Sequence, residues 1–164
     1  MSSIAIRAAR ESDAEAICGI YNQGIEDRIA TLETELRTPE ERRRWMAARG
    51  PSHPVIVAEA DGQVIGWGSL NPFSARQAYQ YVADFSVYVE RSWRAKRVGR
   101  RLLERLIELA KSLGYHKMML SAFPFNESGV ALYERMGFVK VGICREMGLL
   151  GGRWVDTVIM EKLL

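Results

Sequence analysis

Val87-Tyr88-Val89, followed by Arg94-Ala95-Lys96-Arg97-Val98-Gly99-Arg100, reads as the end of an apolar strand running into a basic turn. From Val98 to Leu113 the residues Leu102, Leu103, Leu106, Ile107, Leu109 and Ala110 recur at helical spacing, with Arg101, Glu104, Arg105, Glu108 and Lys111 on the opposite side. Gly114 is expected to end this helix. A strand that feeds a tight basic turn and a helix N-terminus offers free backbone N–H groups and the positive end of a helix dipole. Both favour a bound polyphosphate, so the expected ligand is a phosphorylated cofactor.

Downstream, Lys117 to Phe123 reads as a strand and Asn126 to Met136 as a short helix that carries Tyr133 and closes at Gly137-Phe138. Phe138 to Met147 and Arg153 to Leu163 read as closing strands around Gly151-Gly152. Upstream, Ile4, Ile6 and Ala8 alternate as a first strand, and Ser12 or Asp13 is expected to cap a helix carrying Ile17, Ile20 and Tyr21. The segment Gly24 to Arg37 has no sustained period and reads as a loop or irregular helix near the substrate. Thr38 as N-cap, Pro39 at the first helical position and Glu41 start a second helix expected to end near Gly50, with Arg42-Arg43-Arg44 on its solvated face. Val55 to Ala58 and Val64 to Trp67 flank Asp61-Gly62, a hairpin signal. A further strand is expected from about Tyr79 to Glu90, with Asp84 sharing a face with Tyr88 and not with Phe85, Val87 and Val89.

A chain of 164 residues is long enough to bury a full core as one domain. Its two cysteines, Cys18 and Cys144, have neither metal-ligand spacing nor the density of a secreted scaffold, and read as reduced thiols in a cytoplasmic protein. No metal site is expected, because neither His53 nor His116 has a ligating partner in the sequence. Met1 to Arg7 lacks the pattern of a signal peptide, and no apolar run reaches the length of a membrane span. The net charge of +3 is uneven, with basic residues concentrated at 42–44 and between Arg91 and Arg101. Such clusters attract nucleic acid as readily as phosphates, but the aromatic interleaving that stacks bases is absent, so nucleic acid is the weaker expectation.

The order of elements, the basic turn and the later Asn126 to Phe138 segment resemble the GCN5-related N-acetyltransferases (GNAT). Ile20-Tyr21-Asn22-Gln23, Thr34-Glu35, Ala75-Arg76-Gln77-Ala78-Tyr79 and Gly152-Arg153-Trp154-Val155-Asp156 resemble the phosphinothricin and arsinothricin branch of that superfamily. The resemblance covers nearly the whole chain. It implies a single α/β domain over residues 1–164, with a mixed, mostly antiparallel sheet flanked by helices. Strands near 84–89 and 117–123 would part to admit acetyl-coenzyme A (acetyl-CoA), and the protein would be a homodimer. The turn departs from the family pattern: Arg97 stands where a first glycine is expected, while Gly99 keeps the second. An arginine adopts positive φ only at a cost.

The resemblance also implies roles. The backbone of Val87, Tyr88 and Val89 would pair with the pantetheine arm, and Ala95, Lys96, Arg97, Val98, Gly99 and Arg100 would hold the pyrophosphate. Asn126 would contact the cofactor, although capping its own helix is the commoner use of such a residue. Asp84 stands where the branch typically has a glutamate as general base, and Tyr133 where a hydroxyl serves the departing thiolate. Tyr133 is also placed to pack with Val130 and Met136. Arg76 and Tyr79 resemble residues beside the acceptor pocket, with a surface role open for Arg76. The implied reaction is acetyl transfer to the α-amino group of a small amino acid such as phosphinothricin, arsinothricin, methionine sulfoximine or methionine sulfone. Alternatives are a peptide N-terminus, a polyamine or an aminoglycoside as acceptor, or a non-catalytic module binding cofactor or RNA.

Overall fold

The computed structural model describes residues 3–164, so Met1 and Ser2 of the N-terminal reading lie outside the described residues. The alternation of Ile4 and Ile6 forms β1 (Ile4–Ala8), which is followed by a 3-10 turn, α1 (Ala14–Asp27) and α2 (Pro39–Ala47). The Thr38 hydroxyl accepts from the Glu41 backbone N–H at 3.2 Å, as the capping pattern requires. Asp13 acts differently from expectation. Its carboxylate accepts from the Arg10 backbone N–H at 2.7 Å and from Arg7 at 2.8 and 3.0 Å, so it stabilises the 3-10 turn instead of capping α1. The Arg7 guanidinium holds this carboxyl below the usual carboxylate range.

Asp61 and Gly62, at φ 52° and 76°, fold β2 (Val55–Ala60) onto β3 (Gln63–Pro72). β4 (Val82–Val89) starts later than the sequence suggests, because Gln77–Tyr79 closes a 3-10 turn in which Arg76 O accepts from the Tyr79 N–H at 3.0 Å. Tyr79 is therefore in a turn and not in the strand. α3 (Val98–Ser112), β5 (Lys117–Ala122) and α4 (Glu127–Arg135) follow, and β6 (Val139–Leu150) and β7 (Arg153–Leu163) close the chain. β6 extends to Leu150 rather than Met147, with register shifts between Lys140 and Gly142 and between Cys144 and Gly148.

Among the described residues seven strands form one sheet in the order β1-β2-β3-β4-β5-β7-β6. Every pair is antiparallel except β4 with β5. One face of the sheet packs on α3 through Leu102, Leu103 and Leu106, all fully buried. Gly68 permits this approach: a Cβ there would lie 3.0 Å from Leu106 and 3.1 Å from the Ser86 carbonyl oxygen. The opposite face carries Trp67, Ser69 and Asn71 of β3 beside Tyr88, Ser86 and Asp84 of β4. There Trp67, Ile17, Ile20 and Val57 form a second core beneath α1 and α2. Arg42 departs from the solvated face expected of its triplet. Its guanidinium lies 4.8 Å from the Tyr21 ring and 4.5 Å from the Trp45 ring, while Arg49 covers Trp45 at 4.4 Å.

Candidate active site

β4 and β5 pair only at Val82↔Lys117, Ala83↔Met118 and Asp84↔Met119. Beyond Asp84 they separate, so Phe85 to Val89 are hydrogen-bonded to β3 on one side and present a free strand edge on the other. A free edge at a splay accepts an extended ligand as an added strand. The gap holds a small cavity lined by Phe85 to Tyr88, Leu120 to Phe123, Asn126 and Tyr133. It adjoins a larger groove of about 720 Å³, which shares Val87, Tyr88, Asn126 and Tyr133 with it and runs to the start of α3. Four arginines, Arg94, Arg97, Arg100 and Arg135, line that groove, and among the described residues no carboxylate does.

The turn makes the helix start accessible. Ala95 and Arg97 have φ of 61° and 66°, and Arg97 is the N-cap of α3 with no side-chain cap on the first-turn N–H groups. Those donors and the helix dipole complement phosphate oxygens. Arg97 thus adopts the left-handed geometry that a glycine would take without strain. Gly99 lines the groove at its floor, where a Cβ would make only ordinary contact with Val87, Val89 and Leu132. Its lack of a side chain leaves room for a ligand more than for the protein's own packing. A left-handed non-glycine residue costs about 1–2 kcal/mol, partly offset by glycine's greater freedom when unfolded. Arg97→Gly is therefore expected to gain roughly 0.5–1 kcal/mol and raise Tm by about 2 °C in a thermal melt.

The Asn126 side chain accepts from the Gly129 N–H at 3.3 Å and also lines both cavities, so capping and ligand contact are compatible. Tyr133 packs edge-on against Phe85 at 5.9 Å and Phe138 at 6.2 Å while its residue borders the gap. Burial raises its pKa above the ordinary 10. Asp84 is the last paired residue before the strands part, and burial pushes its carboxyl up to about 6 against a lowering contribution from the Phe85 backbone N–H. A carboxylate with this pKa at the mouth of a splayed pair is suited to proton abstraction near neutral pH.

The structure does not bring all the expected residues together. The Lys96 ammonium stands 5.3 Å from the Trp93 ring, and Lys96 is not among the groove-lining residues. Arg76 and Tyr79 line a separate cavity of about 340 Å³ with His53, Tyr81, Val82 and Tyr115. Asp84 itself lines neither this cavity, which ends two residues before it at Val82, nor the gap, whose β4 lining begins at Phe85. Conversely, Ile29, Ala30, Trp93, Leu132 and Arg135 line the groove without having been singled out as site residues. Ile29 and Ala30 lie in the aperiodic segment expected near the substrate, which was the available signal. Among the described residues no group of three or more His, Cys, Asp or Glu is placed to hold a metal ion, and no helix is long and apolar enough to cross a membrane.

Residues 6–159 match the family described as Acetyltransferase (GNAT) domain. The chain is 31% identical to an L-methionine sulfoximine/L-methionine sulfone acetyltransferase of Salmonella typhimurium, over 97% of this chain and 94% of that one. Its fold matches a ribosomal-protein-alanine N-acetyltransferase of Brucella melitensis with a TM-score of 0.95 at 35% identity, covering 98% of this chain and 99% of that one. It also matches a phosphinothricin acetyltransferase of Sinorhizobium meliloti solved with acetyl-CoA, with a TM-score of 0.93 at 29% identity, covering 98% and 88%. The arginine-lined groove, the exposed helix start and the free edge of β4 fit the phosphates and the extended arm of that cosubstrate. On the splayed strands, the basic turn and these full-length likenesses together, the chain belongs to the GNAT family and is an acetyl-CoA-dependent N-acetyltransferase.

Proposed function

We propose that the protein acetylates the α-amino group of a small amino acid with a tetrahedral side-chain head, of the methionine sulfoximine, methionine sulfone, phosphinothricin and arsinothricin type. The observation that carries this reading is the likeness over nearly the whole chain to enzymes named for such acceptors, and the Asp84 carboxyl at the point where β4 and β5 part supplies a base for the reaction. Acetyl-CoA supplies the activated acetyl group. Asp84 takes the proton from the acceptor amine, directly or through water, and an amide of Val87 to Val89 donates to the thioester oxygen. Arg76 and Tyr79 belong to the acceptor side, where a guanidinium would clamp an anionic group.

Tyr133 stabilises the departing thiolate by hydrogen bonding. A free thiol near 8.5 and a free tyrosine near 10 already make full proton transfer uphill by about 2 kcal/mol, and the raised pKa of Tyr133 widens the gap. Tyr133→Phe is expected to lower kcat by roughly 10- to 100-fold, since a single hydrogen bond to a charged group is worth about 1.5–3 kcal/mol. A single-turnover measurement with an unchanged rate would leave Tyr133 only its packing on Phe85 and Phe138.

The protein is further read as a cytoplasmic homodimer. Support for the dimer comes from β6, an edge strand on which Val139, Val141, Ile143, Met147 and Leu149 are all more than half exposed. An uncovered apolar edge of this length invites pairing with another chain. Sedimentation of the wild-type chain at twice the chain mass, reduced to one by Ile143→Lys, is the expected result.

The acceptor is tested by thiol release from acetyl-CoA with methionine sulfoximine, methionine sulfone, phosphinothricin, arsinothricin, spermidine and an alanine-starting peptide. Rapid turnover of one tetrahedral-headed amino acid is expected. The likeness to a ribosomal-protein-alanine acetyltransferase favours a second reading, and turnover of the peptide alone would establish that reading instead.

A further inference from the structure

The carboxylate of Asp27 joins two parts of the site that the chain keeps far apart. Asp27 is the last residue of α1, and the residues directly after it, Arg28 to Ala30, lead into the groove that Ile29 and Ala30 line. Both of its carboxylate oxygens are engaged by the segment that enters the phosphate turn. Arg91 donates to them at 2.8 and 3.0 Å, and Arg94 at 2.6 Å. One helical turn earlier, Gln23 extends the same seam by accepting from the Arg91 backbone N–H at 2.9 Å and donating to Glu90 at 3.1 Å. Glu26 contributes a longer ion pair to Arg91 at 3.8 Å.

Arg94 has a second face. It lines the groove beside Arg97 and Arg100, so the residue whose guanidinium bonds Asp27 at 2.6 Å and the Val89 carbonyl at 3.4 Å also borders the place of a bound polyphosphate. The loop beyond Asp27 has further ties along its length. The Glu33 N–H donates to the Thr31 hydroxyl at 3.1 Å, the Arg37 N–H donates to Asn22 at 2.8 Å, and Leu32 packs over Gly148 at the far end of β6. Thr31 also hydrogen-bonds Tyr88 in the groove and Arg37 pairs with Glu33 at 2.6 Å, so the loop has several anchors, and Asp27 is the one that reaches the segment entering the phosphate turn.

We propose that Asp27 is a positioning residue that transmits occupation of the phosphate turn, through Arg94, to the loop 28–37 that borders the acetyl-transfer gap. The inference rests on reading 94–100 as the pyrophosphate site. Phosphate drawn onto Arg94 fixes that guanidinium, and the Asp27 carboxylate, shared between Arg94 and Arg91, fixes the end of α1 and the loop it carries. Cofactor and acceptor sites are then coupled, and the coupling is reciprocal.

The test measures amide hydrogen exchange of residues 28–37 with and without coenzyme A, alongside calorimetric binding of coenzyme A, in the wild type, Asp27→Asn and Asp27→Glu. Coenzyme A is expected to slow exchange of this loop by about 10-fold in the wild type, by less than about 2-fold in Asp27→Asn, and again by several-fold in Asp27→Glu. In steady state, Asp27→Asn should raise the acceptor KM by about 10-fold with kcat nearly preserved, a split that a general loss of stability would not produce. Protection in Asp27→Asn equal to the wild type, with coenzyme A bound, overturns the inference alone. Absence of coenzyme A binding to the wild type overturns the site reading and the inference with it.

Discussion

Asp84→Asn should lower kcat by about 10²–10³-fold and remove the acidic limb of the pH profile of kcat/KM. The limb in the wild type is expected to rise toward a plateau above pH 6, because burial places the Asp84 carboxyl at about 6. The magnitude of that shift matters to the chemistry. Against an α-amino group near 8, a carboxylate at its ordinary value of about 4 would leave proton transfer uphill by roughly 5 kcal/mol, and one at about 6 leaves roughly 3. The shorter aspartate thus gains through burial part of what a base at this position needs. The position itself follows from the register: Asp84 is the last residue that β4 pairs with β5, on the face shared with Ser86 and Tyr88. A pH profile of Asp84→Asn with the limb intact would assign the base elsewhere.

The same substitution should act oppositely on stability. A carboxyl whose folded pKa is raised contributes stability that is complete below about pH 4 and is lost as pH rises through 6. The rise corresponds to roughly 2–3 kcal/mol, so urea titrations should find Asp84→Asn close to the wild type near pH 4 and more stable by up to that amount at pH 8. Lost activity with gained stability is the signature of a group held in place for function.

Local signals were legible and tertiary ones were not. The hairpin at Asp61-Gly62, the cap at Thr38 and the basic turn before α3 depend on residues within a few positions of one another, and each stands where the sequence put it. The turn at Gln77–Tyr79 was masked by the apolar residues that continue into β4, which look like strand from Tyr79 onward. Arg42 could not be told from its neighbours Arg43 and Arg44, because its place beside Trp45 of its own helix is completed by the ring of Tyr21 from α1. The seam at Asp27 was invisible for the same reason, since its partners Arg91 and Arg94 lie more than sixty positions away. Likewise Arg76 could be assigned to an acceptor only by resemblance, and its cavity, beside Tyr115 and His53, required the fold to be seen.

Trp67→Ala should be the most damaging single change to the fold. Trp67 is 1% exposed and stands at the centre of an aromatic group, stacked on Tyr88 at 5.1 Å and edge-on to Tyr21 at 5.9 Å and Trp45 at 5.6 Å. Truncating a buried tryptophan costs about 3–5 kcal/mol through lost transfer energy and the cavity left behind. For a domain of this size that amounts to a fall in Tm of roughly 10 °C or more. The damage should extend to the site, because Tyr88 lines both the gap and the groove and Trp67 is its cross-strand partner. Trp67→Phe separates packing from the polar group: the indole N–H is buried without a hydrogen-bond partner, so its removal offsets part of the lost volume. Trp67→Phe should therefore cost less than about 2 kcal/mol and keep coenzyme A binding near the wild type, whereas Trp67→Ala should weaken both. Equal losses from the two variants would mean that the indole ring, and not the aromatic stack beneath β4, is what the site requires.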